Sequence, residues 1–114
     1  MLYLNECALL CALGEDLATS RRRLLVEAES GLEESRACSP GRMLPVGRGE
    51  GALPTMDHLP LPLRSRNNQL ALAALAQIRP AVDAAVARHG AHRVALTLGT
   101  STSRVGETGD AIAA

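Results

Sequence analysis

The amino-acid sequence predicts a layered α/β fold with a largely parallel sheet. Three observations lead to this prediction: an apolar run at residues 2–13, helical spacing of apolar residues at 65–89, and a β-forming run at 93–98. A short glycine-containing link joins the second of these segments to the third. Strands that alternate with helices through short connections are typical of helices packed on a parallel sheet.

The first part of the chain predicts a strand followed by a helix. Residues 2–13 are apolar and stop at Gly14, as expected of a strand that is buried on both faces. Glu15 and Asp16 come next, and acidic residues favour the N-terminus of a helix. Apolar residues then recur at helical spacing, so the predicted helix extends over residues 17–30.

A long irregular region follows this helix. Glycines and prolines punctuate residues 33–62, so neither a helix nor a long strand can run through them. The sequence predicts loops here, with a short edge hairpin around residues 43–46. A loop region of this length is uncommon in a compact domain unless it is functional or packs against another part of the structure.

A long helix is predicted after Arg64. Ser65 or Asn67 can cap its N-terminus, and Gly90 is a natural C-cap. Pro80 lies inside the helical pattern, where it removes one hydrogen bond and disfavours helical geometry at the preceding residue. We therefore expect either a kink at Pro80 or two abutting helices.

The composition limits the classes of protein that fit. The chain has 114 residues, which suit one small domain spanning 1–114. Its 12 basic and 12 acidic side chains cancel, and it has one aromatic residue, so it lacks the positive surface and stacking platforms of nucleic-acid-binding proteins. An apolar content of 46% is too high for a disordered chain. No apolar run approaches the roughly 20 residues that span a bilayer. We expect a soluble protein that binds no nucleic acid.

The absence of lysine and the number and spacing of the cysteines limit the classes of enzyme and of binding site that the chain can form. The chain contains no lysine, which excludes pyridoxal-phosphate enzymes and nucleotide hydrolases with a P-loop lysine. Its 3 cysteines, without C-x-x-C spacing, are Cys7, Cys11 and Cys38. We expect reduced thiols in a cytoplasmic protein, with no disulfide framework, zinc site or other cofactor. Cys7 and Cys11 fall in the predicted first strand, where a buried thiol is inert.

The predicted strand at 93–98 ends in a polar stretch, residues 99–103. Loops beyond the carboxyl ends of strands bind ligands in open α/β sheets, so this is the most site-like position in the chain. Ser101 lacks the second glycine of a nucleophile elbow. His58, His89 and His92 lie in a loop or at a helix end, and we expect none of them to be catalytic. The residues alone thus predict no catalytic constellation.

Four segments occur in an order that is known from one family. They are LLCALG at 9–14, SGL at 30–32, LRSRNN at 63–68 and RVALTLGTSTS at 93–103. Together they resemble the amino-terminal part of the β-ketoacyl-[acyl-carrier-protein] synthases. The resemblance covers nearly all of this chain but only the first part of the family, and the stretch 99–103 is its most specific piece.

The resemblance implies an incomplete thiolase-like fold with a strand and helix, a Pro/Gly-rich loop region, a long kinked helix and a strand. It also implies a Claisen-type condensation, in which a cysteine takes an acyl group from acyl carrier protein and two histidines assist the decarboxylation of malonyl-carrier protein. In the family all three catalytic residues lie downstream of the matched region, so none is assigned here. Thr102 is carried over as a candidate acyl-pocket residue, acyl carrier protein as a partner, and a homodimer as the family's assembly.

Two hypotheses for the function follow. In the first, the chain is the amino-terminal fragment of a synthase that serves fatty acid or polyketide-type synthesis, and it is inactive alone. In the second, it is a stand-alone, non-catalytic α/β binding module that docks a partner through the proline-rich loop or exposed strand edges.

Overall fold

A computed structural model describes residues 3–37, 39–49 and 51–100. The chain divides into two compact units, Met1–Ala52 and Leu53–Ala114. The first unit contains short elements, and the second contains one long helix with short turns beside it. The architecture is mixed α/β, with two α-helices and one two-stranded sheet in the described part of the chain.

In the first unit, the predicted helix is present but shorter than expected. Helix α1 spans Leu17–Leu25, and the side chain of Asp16 caps it by accepting a hydrogen bond from the Thr19 N–H. The helix ends before residue 30 because the backbone leaves helical geometry, with Ala28 at a φ of 52°. The acidic residue before the helix therefore has the capping role that its position predicts.

The predicted buried strand at 2–13 is wrong over its described residues. Residues 3–10 form no regular element, and residues 11–14 form a tight turn in which Cys11 and Gly14 exchange two backbone hydrogen bonds. Leu4 is 92% exposed, and Cys7 is exposed as well, so this segment does not supply a core. An apolar run becomes a strand only where a neighbouring strand satisfies its backbone, and none of the described residues does so here.

The sheet of the first unit is an antiparallel hairpin. Strand β1 spans Leu32–Ser35 and strand β2 spans Leu44–Gly47, with Leu32 opposite Gly47 and Ser35 opposite Leu44. The expected edge hairpin around residues 43–46 is thus confirmed for its second strand. The predicted parallel sheet is not observed in the described residues, because the only paired strands there are joined by a loop and run in opposite directions.

The second unit is organised by one long helix. Helix α2 spans Arg66–His89, begins at the N-cap Ser65 and ends at Gly90, whose φ is 84°. Ser65, and not Asn67, caps the helix. The helix continues through Pro80, so two separate helices are not observed. Short 3-10 turns lie on either side, at Leu61–Leu63 and Ala91–Arg93.

The predicted strand at 93–98 is wrong as well. Arg93 closes the 3-10 turn, and residues 94–100 have no regular secondary structure. Val94 has an extended backbone, with φ −110° and ψ 128°, but no described strand pairs with it. The β-forming residues here satisfy the local preference for extended backbone without the ladder that would make a strand.

Very little of the described chain is buried. Met56 is the only buried apolar residue among the described positions and Ser20 the only buried polar one. Many large apolar side chains are exposed, among them Leu61 at 78%. Helix α2 is also long and apolar enough to cross a membrane by length and composition alone, a test that the core helix of a soluble protein can pass as well.

Candidate functional site

The polar stretch that the sequence singles out is only partly within the described residues. Thr102 and its neighbours from Ser101 onward lie outside them, whereas Gly99 and Thr100 are described. The Thr100 hydroxyl donates a hydrogen bond to Oδ1 of Asn67 at 3.2 Å. This contact joins the entrance of the polar stretch to the first turn of α2, across 33 positions of sequence.

The first turn of α2 holds the chain that precedes it. Ser65 accepts a hydrogen bond from the Asn68 N–H at 3.2 Å, and the Asn68 side chain donates to the Leu63 carbonyl at 2.9 Å. One residue further on, Gln69 donates to the Pro54 carbonyl at 3.0 Å. Two consecutive amide side chains thus anchor both ends of the proline-rich segment 54–63.

Arg64 fixes the middle of the same segment. Its Nε donates to the Leu59 carbonyl and its Nη2 to the Asp57 carbonyl, each at 2.7 Å. The side chain therefore serves as a structural clamp. A guanidinium that is already bound to two carbonyls has fewer donors left for an anionic ligand.

Two of the four motif segments therefore meet in the second unit. The segment at 63–68 supplies the cap and Asn67, and the segment at 93–103 supplies Thr100. Among the described residues, no hydrogen bond joins the hydroxyl of Ser65 or Thr100 to a side chain that could act as a general base. What this arrangement can do chemically is orient backbone and hydroxyl groups.

A second candidate is a small cleft in the first unit, where the turn at residues 11–14 meets the start of α1. Its volume is about 220 Å³, and it is lined by Cys11, Gly14, Glu15, Asp16, Thr19 and Arg23. The Cys11 Sγ lies 3.4 Å from the Oγ of Ser20, the buried hydroxyl of this unit. A thiol, two carboxylates and a guanidinium therefore line one opening.

The electrostatics of this cleft favour the thiolate. Burial raises the pKa of the Cys11 thiol, but hydrogen bonds from Ser20 and from the backbone of Leu13 and Gly14 lower it, and the net pKa lies below its ordinary value. Cys11 is thus a partly exposed thiol and not the inert core residue that the sequence predicts.

Arg23 is engaged with the backbone of the same cleft. Its Nη1 donates to the Leu13 carbonyl at 3.0 Å, and its Nε lies 3.6 Å from a carboxylate oxygen of Glu29. The contact with Leu13 ties α1 to the turn that carries Cys11. Arg23 therefore maintains the shape of the cleft.

The histidines and the acidic residues form no metal site in the described part of the chain. His58, His89 and His92 are all exposed, and His92 lies against the helix end at Gly90. No group of three or more histidine, cysteine or acidic residues lies close enough to hold a metal ion among the described residues. A wider opening of about 490 Å³ lies along α2, but all its lining residues belong to that one helix, so it is an open face.

Sequence reasoning missed two residues of these sites. The sequence marks Asn67 only as a candidate helix cap and as part of the motif segment 63–68, and it gives Ser20 no role. The polar run after the serine cap is a signal for Asn67. Asparagine is less favourable at helical positions than most residues, so a partner for its side chain is expected there. Ser20 carries no such signal, since its partner is set by the turn at residues 11–14.

Comparisons with protein-family models, with curated proteins and with solved structures found no match to this chain.

Proposed function

We propose that this chain is the amino-terminal part of a β-ketoacyl-[acyl-carrier-protein] synthase. The observation that carries the proposal is the order of the four motif segments at 9–14, 30–32, 63–68 and 93–103. The contact between Asn67 and Thr100 supports it, because two of these segments meet through side chains at the start of α2.

The distribution of apolar surface supports the same proposal. A folded domain of this size buries a cluster of large side chains, whereas Met56 alone is buried among the apolar residues described. Side chains such as Leu61 and Leu72 are exposed instead. Additional chain that covers these side chains would supply the burial that the described residues do not.

The proposed reaction is a decarboxylative condensation. A cysteine outside the matched region forms a thioester with the acyl group, and carrier-protein thiol leaves. Loss of CO₂ from malonyl-carrier protein gives an enolate, whose carbon attacks that thioester and releases the cysteine thiolate. Two histidines outside the matched region stabilise the enolate. Within this chain, Thr102 is proposed to line the acyl pocket.

The proposal includes the setting of the reaction. Acyl carrier protein is the proposed partner, the complete synthase is a homodimer, and the location is the cytoplasm. Free Cys7 and Cys11 are compatible with a reducing compartment.

The decisive experiment is to read the coding sequence beyond the codon for Ala114. The proposal expects an open reading frame that supplies a cysteine and two histidines. A stop codon directly after Ala114 would refute it. The purified 114-residue chain is further expected to show no malonyl decarboxylation or condensation, and clear turnover by this chain alone would refute the assignment of the catalytic residues to another part of the enzyme.

The alternative function is a non-catalytic binding module. Hairpin β1–β2 favours it, because among the described residues each strand pairs on one side only and leaves an open edge on which an extended peptide can add a strand. A stop codon after Ala114 together with a monomer that unfolds cooperatively would support the module over the fragment.

A further inference from the structure

We infer that Asn67 is a positioning residue, which holds Thr100 and thereby fixes the point where the chain enters the polar stretch that follows Gly99. The Thr100 hydroxyl donates to Asn67 Oδ1 at 3.2 Å, while Asn67 itself is half-buried. The motif segments by themselves give Asn67 no role in the proposed condensation.

Asn67 is available for this contact because its neighbours have other partners. Ser65 is the N-cap, so Asn67 lies at the second helical position and its side chain is not needed to start the helix. The side chains of Asn68 and Gln69 are engaged with the backbone of residues 54–63. Of these polar residues, Asn67 is the one whose side chain reaches the chain that follows α2.

The anchor point is itself fixed. The clamp of Arg64 on Asp57 and Leu59, together with the amide contacts of Asn68 and Gln69, connects the first turn of α2 to the preceding segment. Asn67 thus lies on a turn that four side-chain hydrogen bonds hold to the preceding segment.

Thr100 lies at the end of a segment without regular secondary structure. Residues 94–100 form no strand, and the backbone hydrogen bond from the Val94 N–H to Ala91 is formed at the beginning of this segment. The hydrogen bond from Thr100 to Asn67 lies at the other end of this segment. The meaning of this placement for the acyl pocket, through Thr102, rests on the proposed function.

The test uses the intact chain, labelled with ¹⁵N, and measures the heteronuclear NOE of the Thr100 amide. Asn67→Ala removes the acceptor, and Thr100→Val removes the donor while it keeps the side-chain shape. Asn67→Asp retains an acceptor oxygen at the same place. Arg66→Ala, one position earlier on the same turn, is the matched control.

Asn67→Ala and Thr100→Val are each expected to lower the Thr100 NOE, with about a fivefold rise in the ratio of detached to attached conformers, as for the loss of one hydrogen bond. Asn67→Asp and Arg66→Ala are expected to leave it near the parent value. An unchanged NOE in Asn67→Ala, or an equal decrease in Arg66→Ala, overturns the inference. If Asn67→Ala loses the helical circular dichroism signal, Thr100→Val decides.

The inference and the proposed function fail separately. The NOE reports a contact in the chain without substrate, so a stop codon after Ala114 leaves the contact standing and removes only its proposed use. A contact that is absent in solution removes one supporting observation but does not refute the proposal of a synthase, since that proposal is carried by the motif order.

Discussion

Cys11 shows how its hydrogen-bond partners, Ser20 foremost, change the chemistry of a residue. The two side chains come within 3.4 Å because the turn at residues 11–14 folds back on the first turns of α1. The sequence predicts an inert thiol in a strand, whereas the structure places the thiol in an open cleft with its pKa below the ordinary value. The difference arises because a strand would bury Cys11, whereas the turn at residues 11–14 leaves it partly exposed.

Ser20→Ala is expected to raise the pKa of Cys11, because it removes the largest of the lowering contributions and leaves the effect of burial in place. At pH 8 the fraction of thiolate falls, and alkylation of Cys11 by iodoacetamide becomes slower. The rate is measured by mass spectrometry of the Cys11 peptide as a function of pH. Cys7, exposed in the same unit, is the internal reference. Equal rates in parent and variant would contradict this role of Ser20.

Asp16 makes the start of α1 sensitive to acid. Hydrogen bonds from the Thr19 N–H at 2.7 Å and from the Thr19 hydroxyl at 3.0 Å hold the pKa of Asp16 below its usual range. A carboxylate with a lowered folded-state pKa stabilises the helix above its unfolded-state value of about 3.9, and this stability is lost as the pH falls through the folded-state pKa.

The Thr19 amide proton shift is therefore expected to stay constant from neutral pH down to about 4 and to move below it. Asp16→Asn is the matched control, since asparagine caps a helix about as well as aspartate but does not titrate there. A variant that keeps the same acid transition would show that another group is responsible.

At the scale of elements, the sequence predicts those structures that are decided locally. Helix α2 has its cap at Ser65, its end at Gly90 and the apolar spacing between them, and all of this lies within one segment of chain. A strand is different, because its partner lies elsewhere. Residues 3–10 and 94–100 have the composition of strands but no described partner, so the pattern alone overpredicted the sheet.

The same distinction applies to the candidate sites. The roles of Asp16 and Ser65 could be predicted because the N–H group that a cap residue binds lies three residues further along the chain. The partners of Asn67 and Ser20 are 33 and 9 positions away and depend on how the chain folds back. No spacing rule predicts such pairs.

Gly90→Ala is expected to destabilise the end of α2 by about 1–3 kcal/mol, because a residue with a Cβ is strained at this backbone conformation. The φ of Gly90 is 84° and its ψ 145°, and an added Cβ would also lie 2.8 Å from the His92 ring. The measurement is the loss of helical Cα chemical shifts over residues 86–89. Gly99→Ala is the control, since an added Cβ there meets nothing within 4 Å; a similar loss in that variant would refute the explanation.

At the scale of the whole molecule, the dominant property of the described residues is exposed apolar surface. Met56 is the only buried apolar side chain among them, so apolar burial within this part of the chain contributes little to the free energy of folding. Isolated in water, such surfaces bind hydrophobic dyes and associate with one another. The proposed function accounts for this property, because the remaining part of a synthase would cover the exposed faces.

The purified chain is expected to bind a hydrophobic dye such as ANS and to unfold over a broad temperature range. Leu72→Gln should lower the dye fluorescence, because Leu72 is exposed on α2. Ala87→Gln, also exposed on α2, is the matched control and should change it little. A sharp thermal transition without dye binding would contradict this expectation.

Pro80 limits the surroundings in which α2 is stable. Pro80 has no N–H and therefore cannot donate the helical hydrogen bond to the carbonyl of Ala76, an exposed residue one turn earlier. Arg79 and Asp83 form an ion pair at 2.9 Å beside it. In hydrocarbon the carbonyl and both charges would lose their hydration at a large cost in free energy. The side of α2 that carries Arg79 and Asp83 is thus better suited to contact with water or with a polar protein surface than to contact with lipid chains.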